Sequence, residues 1–94
     1  MHLKLILYKE PFDQIIAGTK VEEYRDFTPF YIARLCTKNK AGEITGFKPY
    51  KKVTFYNGYR KDRPQFDIEC RGIEILTEKN TGEKIFAILL GKML

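Results

Sequence analysis

The sequence is poor in the residues that build metal sites and disulfide frameworks. Its 94 residues include two cysteines, one histidine and no tryptophan. Cys36 and Cys70 are far apart in the chain, and with His2 alone they do not provide the four ligands of a structural zinc site. We therefore expect no metal and no cofactor. We also expect two reduced, buried cysteines that act as small apolar side chains.

Long apolar runs are also missing. A helix that crosses a bilayer needs about 18 or more consecutive apolar residues. The N-terminal segment MHLKLILYKEP is interrupted by charge and has no small-residue cleavage site of the kind that follows a signal peptide. These features predict a cytoplasmic protein with no membrane partner. The length predicts a single domain over residues 1–94.

Negative charge is scarce in one part of the chain. The net charge is +5, but the thirty residues from Arg34 to Arg63 contain nine cations against Glu43 and Asp62, so this segment carries +7 and the remainder −2. A concentrated positive segment is typical of a polyanion-binding surface. A solvated, lysine-rich loop that maintains solubility explains the same charge equally well.

The first half of the chain alternates between strand and helix signals. Residues 2–8 alternate in polarity and predict a strand. KEPFDQIIAG predicts a short helix that ends at Gly18, since glycine readily takes the left-handed conformation. After an extended segment, TPFYIARLCTK predicts a second helix with Thr28 as N-cap and Pro29 at the first position.

The second half predicts mainly strands. NKAGEITGFKPYKK has the composition of a loop, and strands are expected over 52–58, 66–76 and 84–94, with a bulge at Gly72. The fold class predicted is α+β, mainly β: a small closed or nearly closed barrel of about five strands with two short helices inserted near the N-terminus. An open α+β sandwich is the alternative. Five phenylalanines are expected in the core: Phe12, Phe30, Phe55, Phe66 and Phe86.

The segment GTKVEEYR concentrates charge directly after the first helix. On a regular strand Val21, Glu23 and Arg25 share one face. If Val21 faces the core, the two charged residues point inward near a barrel opening and need partners. Arg25 presents a planar fork that matches phosphate, and Glu23 can accept hydrogen bonds from a base amine. Alternatively the two side chains pair with each other, or with backbone at the barrel end, and hold the shape of the segment. Lys20 is open to three interpretations: a ligand contact, a catalytic lysine or a surface lysine.

A second candidate segment, FYNGYRKDRP, interleaves aromatic rings with cations. Bases of single strands stack on such rings while the cations follow the phosphates. The alternative is a turn whose tyrosines pack on the barrel. Two residues of the second helix are expected to line the same cleft. The candidate binding residues from both segments are Tyr31, Arg34, Asn57, Tyr59, Arg60, Lys61 and Arg63.

The order strand, short helix, then Gly-x-Lys-x-x-Glu-x-Arg resembles the ASCH domain family, related to the PUA fold, in its small bacterial or phage-type members. The match runs through Gly18, Lys20, Glu23 and Arg25 and continues in FTPFYIARL and VTFYNGYRKDRPQFDIECRGIEI. The resemblance implies a PUA-like β-barrel with a cleft beside the motif that binds RNA or a nucleotide-like ligand. One branch is similar to amidohydrolases that deacetylate N4-acetylcytidine. That branch has the lysine matched by Lys20, and threonine in place of Glu23.

Three functions are consistent with these patterns. The first is an RNA- or nucleotide-binding module with Lys20, Glu23 and Arg25 lining a basic cleft. The second is a small amidohydrolase acting on an acylated nucleoside, with Lys20 or Glu23 as the catalytic acid or base. The third is an adaptor whose basic loop binds an acidic protein partner. The oligomeric state is not predicted by any of these patterns.

Overall fold

The computed structural model describes residues 2–59 and 61–94. Within these ranges the chain forms two short helices and seven strands. In chain order they are β1 (Leu3–Leu7), α1 (Lys9–Ala17), β2 (Glu22–Asp26), α2 (Pro29–Leu35), β3 (Cys36–Lys38), β4 (Ile44–Phe47), β5 (Lys52–Asn57), β6 (Gln65–Thr77) and β7 (Lys84–Met93). The fold is α+β and mainly β, as predicted.

One curled five-stranded sheet forms the body of the molecule. Its strand order is β1-β5-β6-β7-β2, with β1 and β5 parallel and the other neighbours antiparallel. The sheet curls into a half-barrel, and β1 and β2 are its two edges. The bulge predicted at Gly72 is confirmed, because the β6–β7 register shifts between Cys70 and Gly72. Bulges increase local twist and so help the long strands to curl.

Both helix boundaries with local signals lie where they were predicted. α1 buries Phe12 and Ile15 and is followed by Gly18, whose φ is +80° and whose N–H donates to the Ile15 carbonyl at 3.1 Å. At α2 the Thr28 hydroxyl accepts from the Tyr31 N–H at 3.3 Å, and a proline occupies the first turn. These contacts satisfy backbone groups that every helix end leaves without a partner.

The segment after α2 differs from the prediction. The helix ends at Leu35 instead of continuing to Lys38, and part of the predicted loop is β4, which pairs antiparallel with β3 in a separate two-stranded sheet. The turn between them is stabilised by the side chain of Asn39, whose Oδ1 accepts from the Glu43 N–H at 2.9 Å. A side chain that accepts from a nearby backbone amide favours a turn over a helix. The prediction of a helix over 36–38 was therefore wrong.

The buried apolar residues form one cluster inside the half-barrel. Phe55 and Phe86 are fully buried, Phe12 is buried, and Phe66 is half-buried against the cluster. Phe30 was predicted to be a core residue, but it is 60% exposed. Phe30 and Leu35 are five positions apart, about 140° around the helix, so the face that buries Leu35 leaves Phe30 toward solvent.

Cys36 and Cys70 are both buried free thiols, as expected. Burial raises the pKa of both thiols, which lowers the fraction of reactive thiolate. Among the described residues, no helix is both long enough and apolar enough to span a bilayer.

Candidate functional site

The charged segment begins where α1 ends. Past Gly18 the chain turns back, and the N–H groups of Thr19 and Lys20 both donate to the Gln14 carbonyl, at 3.0 and 3.2 Å. This carbonyl lies in the last turn of α1, where backbone acceptors lack partners within the helix. The segment that carries Lys20 is therefore anchored to the helix end.

β2 directs two charged side chains into the half-barrel. Glu23 is opposite Ile88 and Arg25 is opposite Phe86, and both β7 residues are fully buried. Val21 precedes the strand and is 62% exposed, so the condition that it faces the core is not met. The strand alternation within β2 still places the two charged residues on the inner face.

The Glu23 carboxylate lies between two cations. One oxygen is 3.4 Å from Lys20 Nζ, and the other accepts from Arg25 Nη2 at 2.7 Å. Only 10% of the Glu23 side chain is exposed. A carboxylate with so little solvent contact needs such partners, because an unpaired buried charge is strongly destabilising.

Arg25 connects three parts of the fold. Besides Glu23, its Nη2 donates to the Ile6 carbonyl on β1 at 2.9 Å, and its Nη1 donates to the Tyr31 hydroxyl on α2 at 2.9 Å. The side chain thus bridges the two edges of the sheet. Its Nε is buried and, within the described part of the chain, has no hydrogen-bond partner.

A groove of about 270 Å³ opens above this cluster. We call it the carboxylate groove. Among the residues that line it, the polar and aromatic side chains are Tyr8, Glu23, Tyr24, Arg25, Asp26 and Tyr31. Tyr8 is 83% exposed, so its ring is free to contact a ligand. The groove combines carboxylate acceptors with aromatic rings.

A second groove of about 320 Å³ lies next to the first and shares Ile6, Arg25 and Tyr31 with it. We call it the arginine groove. Its cationic and aromatic side chains are Lys4, Arg25, Phe30, Tyr31, Arg34 and Tyr59. The two grooves are therefore neighbours, and the Arg25–Tyr31 hydrogen bond lies between them.

Lys20 lies to one side of the carboxylate groove. It lines a third depression that shares Tyr24 with that groove, and its Nζ is 5.3 Å from the centre of the Tyr24 ring. The two candidate catalytic residues, Lys20 and Glu23, are in contact through their ion pair. Only Glu23 lines the groove itself.

The structure brings together all five predicted binding residues from the first half of the chain and fewer of those from the second. Lys20, Glu23, Arg25 and Tyr31 form one cluster, and Arg34 joins it through the arginine groove. From the segment 56–63, only Tyr59 lines this groove among the described residues.

The remaining candidates of that segment have other surroundings. Arg63 donates to the Gly58 carbonyl at 3.1 Å, and its guanidinium lies 4.2 Å from the centre of the Tyr56 ring, so it holds the loop after β5. The backbone N–H of Asn57 donates to the Pro64 carbonyl, and Lys61 is exposed. Arg60 lies outside the described residues. A ligand-binding role for these four residues stays a prediction.

Sequence reasoning did not nominate Lys4, Tyr8, Asp26 or Phe30, all of which line a groove. A signal existed for Lys4 in β1 and for Tyr8 directly after it, because the alternation of the segment places both on the face away from the core. Phe30 also had a signal. It lies four positions before Arg34 on α2, the spacing at which side chains of a helix meet.

No family model, curated protein or solved structure matches the chain. Among the described residues, no cluster of three histidine, cysteine or acidic side chains is placed to hold a metal ion. The functional interpretation therefore depends on the geometry of the two grooves.

Proposed function

We propose that the chain is a small RNA- or nucleotide-binding module whose ligand lies in the carboxylate groove. One observation carries this proposal. Glu23 is nine-tenths buried, is oriented by Lys20 and Arg25, and lines a groove with three tyrosines. Replacing a buried ion pair by apolar side chains is often neutral or stabilising. Stability alone therefore does not explain why these charges are present.

The chemistry of the groove suits a nucleobase. A carboxylate accepts hydrogen bonds from an exocyclic amine, as it does from cytosine. A base that stacks on an aromatic side chain gains about 1–3 kcal/mol, and Tyr8 is the most exposed ring available. The groove volume of about 270 Å³ is small for a ligand site, which favours a single unpaired base over a duplex.

The resemblance to the ASCH domain family supports the same function. The motif defines Lys20, Glu23 and Arg25 by their spacing alone. In the structure Glu23 contacts both of the other two residues. The curled five-stranded sheet with two early helices is compatible with a PUA-like barrel. We therefore propose membership of this family as a hypothesis, together with binding of single-stranded RNA or a nucleotide.

Fluorescence polarisation with a short labelled RNA, the corresponding DNA and a duplex tests the proposal. We expect the single strands to bind and the duplex to bind weakly or not at all. Tyr8→Ala removes an exposed ring from the carboxylate groove, and the lost stacking should weaken binding about tenfold. Glu23→Gln should weaken binding in the same assay.

Phe47→Ala is the matched control. Phe47 is also an exposed aromatic residue, but it lies on β4 and lines neither groove. We expect it to leave RNA affinity unchanged. Equal losses in Tyr8→Ala and Phe47→Ala, or no binding of any nucleic acid or nucleotide, would contradict the proposal.

An amidohydrolase is a second candidate, and the contact between Lys20 and Glu23 favours it. A lysine beside a carboxylate is a pair of groups that can exchange a proton with a substrate. Incubation with N4-acetylcytidine, followed by chromatography, tests this activity. Release of cytidine that disappears in Lys20→Met would support it. The absence of product at high protein concentration would exclude it for this substrate.

A further inference from the structure

The arginine groove and the carboxylate groove carry opposite charges. Lys4, Arg25 and Arg34 line the arginine groove, and no carboxylate of the described residues does. Glu23 and Asp26 line the carboxylate groove, where Arg25 again contributes a cation. A ligand that fills both grooves therefore carries hydrogen-bond donors at one end and a negative charge at the other.

Arg34 is held in place by contacts that leave its charge available. Its Nη2 donates to the Lys4 carbonyl at 3.0 Å, and its guanidinium lies 5.3 Å from the centre of the Phe30 ring. The Tyr50 hydroxyl donates to the Arg34 carbonyl at 2.6 Å and fixes the backbone. This preorganisation reduces the entropy that binding would cost.

Of the three cations that line the arginine groove, only Arg25 has a carboxylate partner within the described ranges 2–59 and 61–94. The ion pairs of the structure include Arg25 with Glu23, but neither Lys4 nor Arg34. The Arg34 guanidinium has further N–H donors beyond the one that binds the Lys4 carbonyl. These donors and the Lys4 ammonium are free for an anion.

Phosphate is the anion that fits this arrangement. A guanidinium presents its donors as a planar fork that binds two phosphate oxygens at once, and a lysine adds a point charge. The position beside the carboxylate groove matches a nucleotide, in which a phosphate is linked to the base through the sugar.

We propose that the arginine groove is a phosphate subsite. It binds the phosphate of the nucleotide whose base occupies the carboxylate groove. The ligand class is then phosphorylated, either a nucleoside monophosphate or a single-stranded polynucleotide, and free nucleosides bind less well. This inference rests on the proposed function, because it takes the base to lie in the carboxylate groove.

Nuclear magnetic resonance titrations of isotope-labelled protein with nucleosides, the matching nucleoside monophosphates and inorganic phosphate test the subsite. We expect the monophosphates to bind at least about tenfold more tightly than the nucleosides. Arg34→Gln should reduce this advantage to less than about threefold while the affinity for nucleosides stays the same.

Two further variants make the test specific. Lys4→Gln should also reduce the advantage. It keeps the backbone carbonyl that Arg34 binds, so it should fold and can replace Arg34→Gln in the test if that variant proves unstable. Lys40→Gln removes the same charge from the exposed β3–β4 turn and should leave the advantage unchanged.

The possible failures are distinguishable. If nucleosides bind as tightly as monophosphates, or if Arg34→Gln and Lys4→Gln both leave the advantage unchanged, the phosphate subsite is overturned while base binding stands. If Lys40→Gln reduces the advantage as much as Arg34→Gln, the effect comes from net charge and the subsite is likewise overturned. If no nucleoside or nucleotide binds and RNA also fails to bind, the proposed function itself is overturned.

Discussion

At Glu23, one buried carboxylate is held by two cations, Lys20 before the strand and Arg25 within it. The spacing of the motif indicated that these residues act together, because Glu23 and Arg25 share a face of a strand. Sequence alone did not identify Tyr31 and the Ile6 carbonyl as the other partners of Arg25. The Ile6 contact joins two strands at opposite edges of the sheet, so it depends on the curl of the whole sheet.

The partnership predicts how Arg25 variants lose stability. Arg25→Met leaves the Glu23 carboxylate buried with Lys20 as its remaining partner, and the free energy of unfolding should fall by about 3 kcal/mol. The double variant Glu23→Gln/Arg25→Met also removes the Glu23 charge, which Lys20 alone compensates only in part, and should lose less than Arg25→Met alone. Urea unfolding followed by circular dichroism measures both. A double variant less stable than the single variant would show that Lys20 alone is a sufficient partner for the Glu23 carboxylate.

At the scale of the element, the strands predicted over 2–8, 52–58, 66–76 and 84–94 are present, and so are the features that depend on backbone geometry at one residue. Thr28 accepts from the Tyr31 N–H, Gly18 has a positive φ, and Gly72 lies at a register shift. The β3–β4 hairpin was missed because its strands are three and four residues long and mostly exposed, so they show little of the polarity alternation that indicates a strand.

Gly18 allows a prediction about the junction between α1 and the charged segment. A Cβ at this position would meet no atom within 4 Å, so the cost of a substitution comes from the backbone alone. Gly18→Ala should lower the free energy of unfolding by about 1–2 kcal/mol, because a left-handed φ is unfavourable for alanine. Gly18→Asn is the matched variant, and it should lose less since asparagine tolerates this conformation. Thermal unfolding compares the two, and equal losses would contradict a purely conformational cause.

At the scale of the molecule, the curl of the sheet creates both grooves. β1 and β2 are far apart in strand order, and the Arg25 side chain connects them across the opening. The charge count predicted a basic surface over 34–63, but it could not show which cations share a groove. Lys48 donates to the Ala33 carbonyl, and Lys52 pairs with Asp67. Part of the positive segment is thus engaged with the protein itself.

Because part of the positive segment is engaged with the protein itself, we predict a shallow salt dependence for RNA binding. If the ligand follows the arginine groove, about two cations, Lys4 and Arg34, contact phosphate, and the logarithm of the association constant should fall against the logarithm of salt concentration with a slope of about −1.4. If all nine cations of the segment contacted phosphate, the slope would be about −6. Polarisation titrations over a range of salt concentrations measure it. Lys40→Gln should leave the slope unchanged, whereas Arg34→Gln should make it shallower by about 0.7. A steep slope that Lys40→Gln reduces would place the RNA across the whole basic segment instead of in the groove.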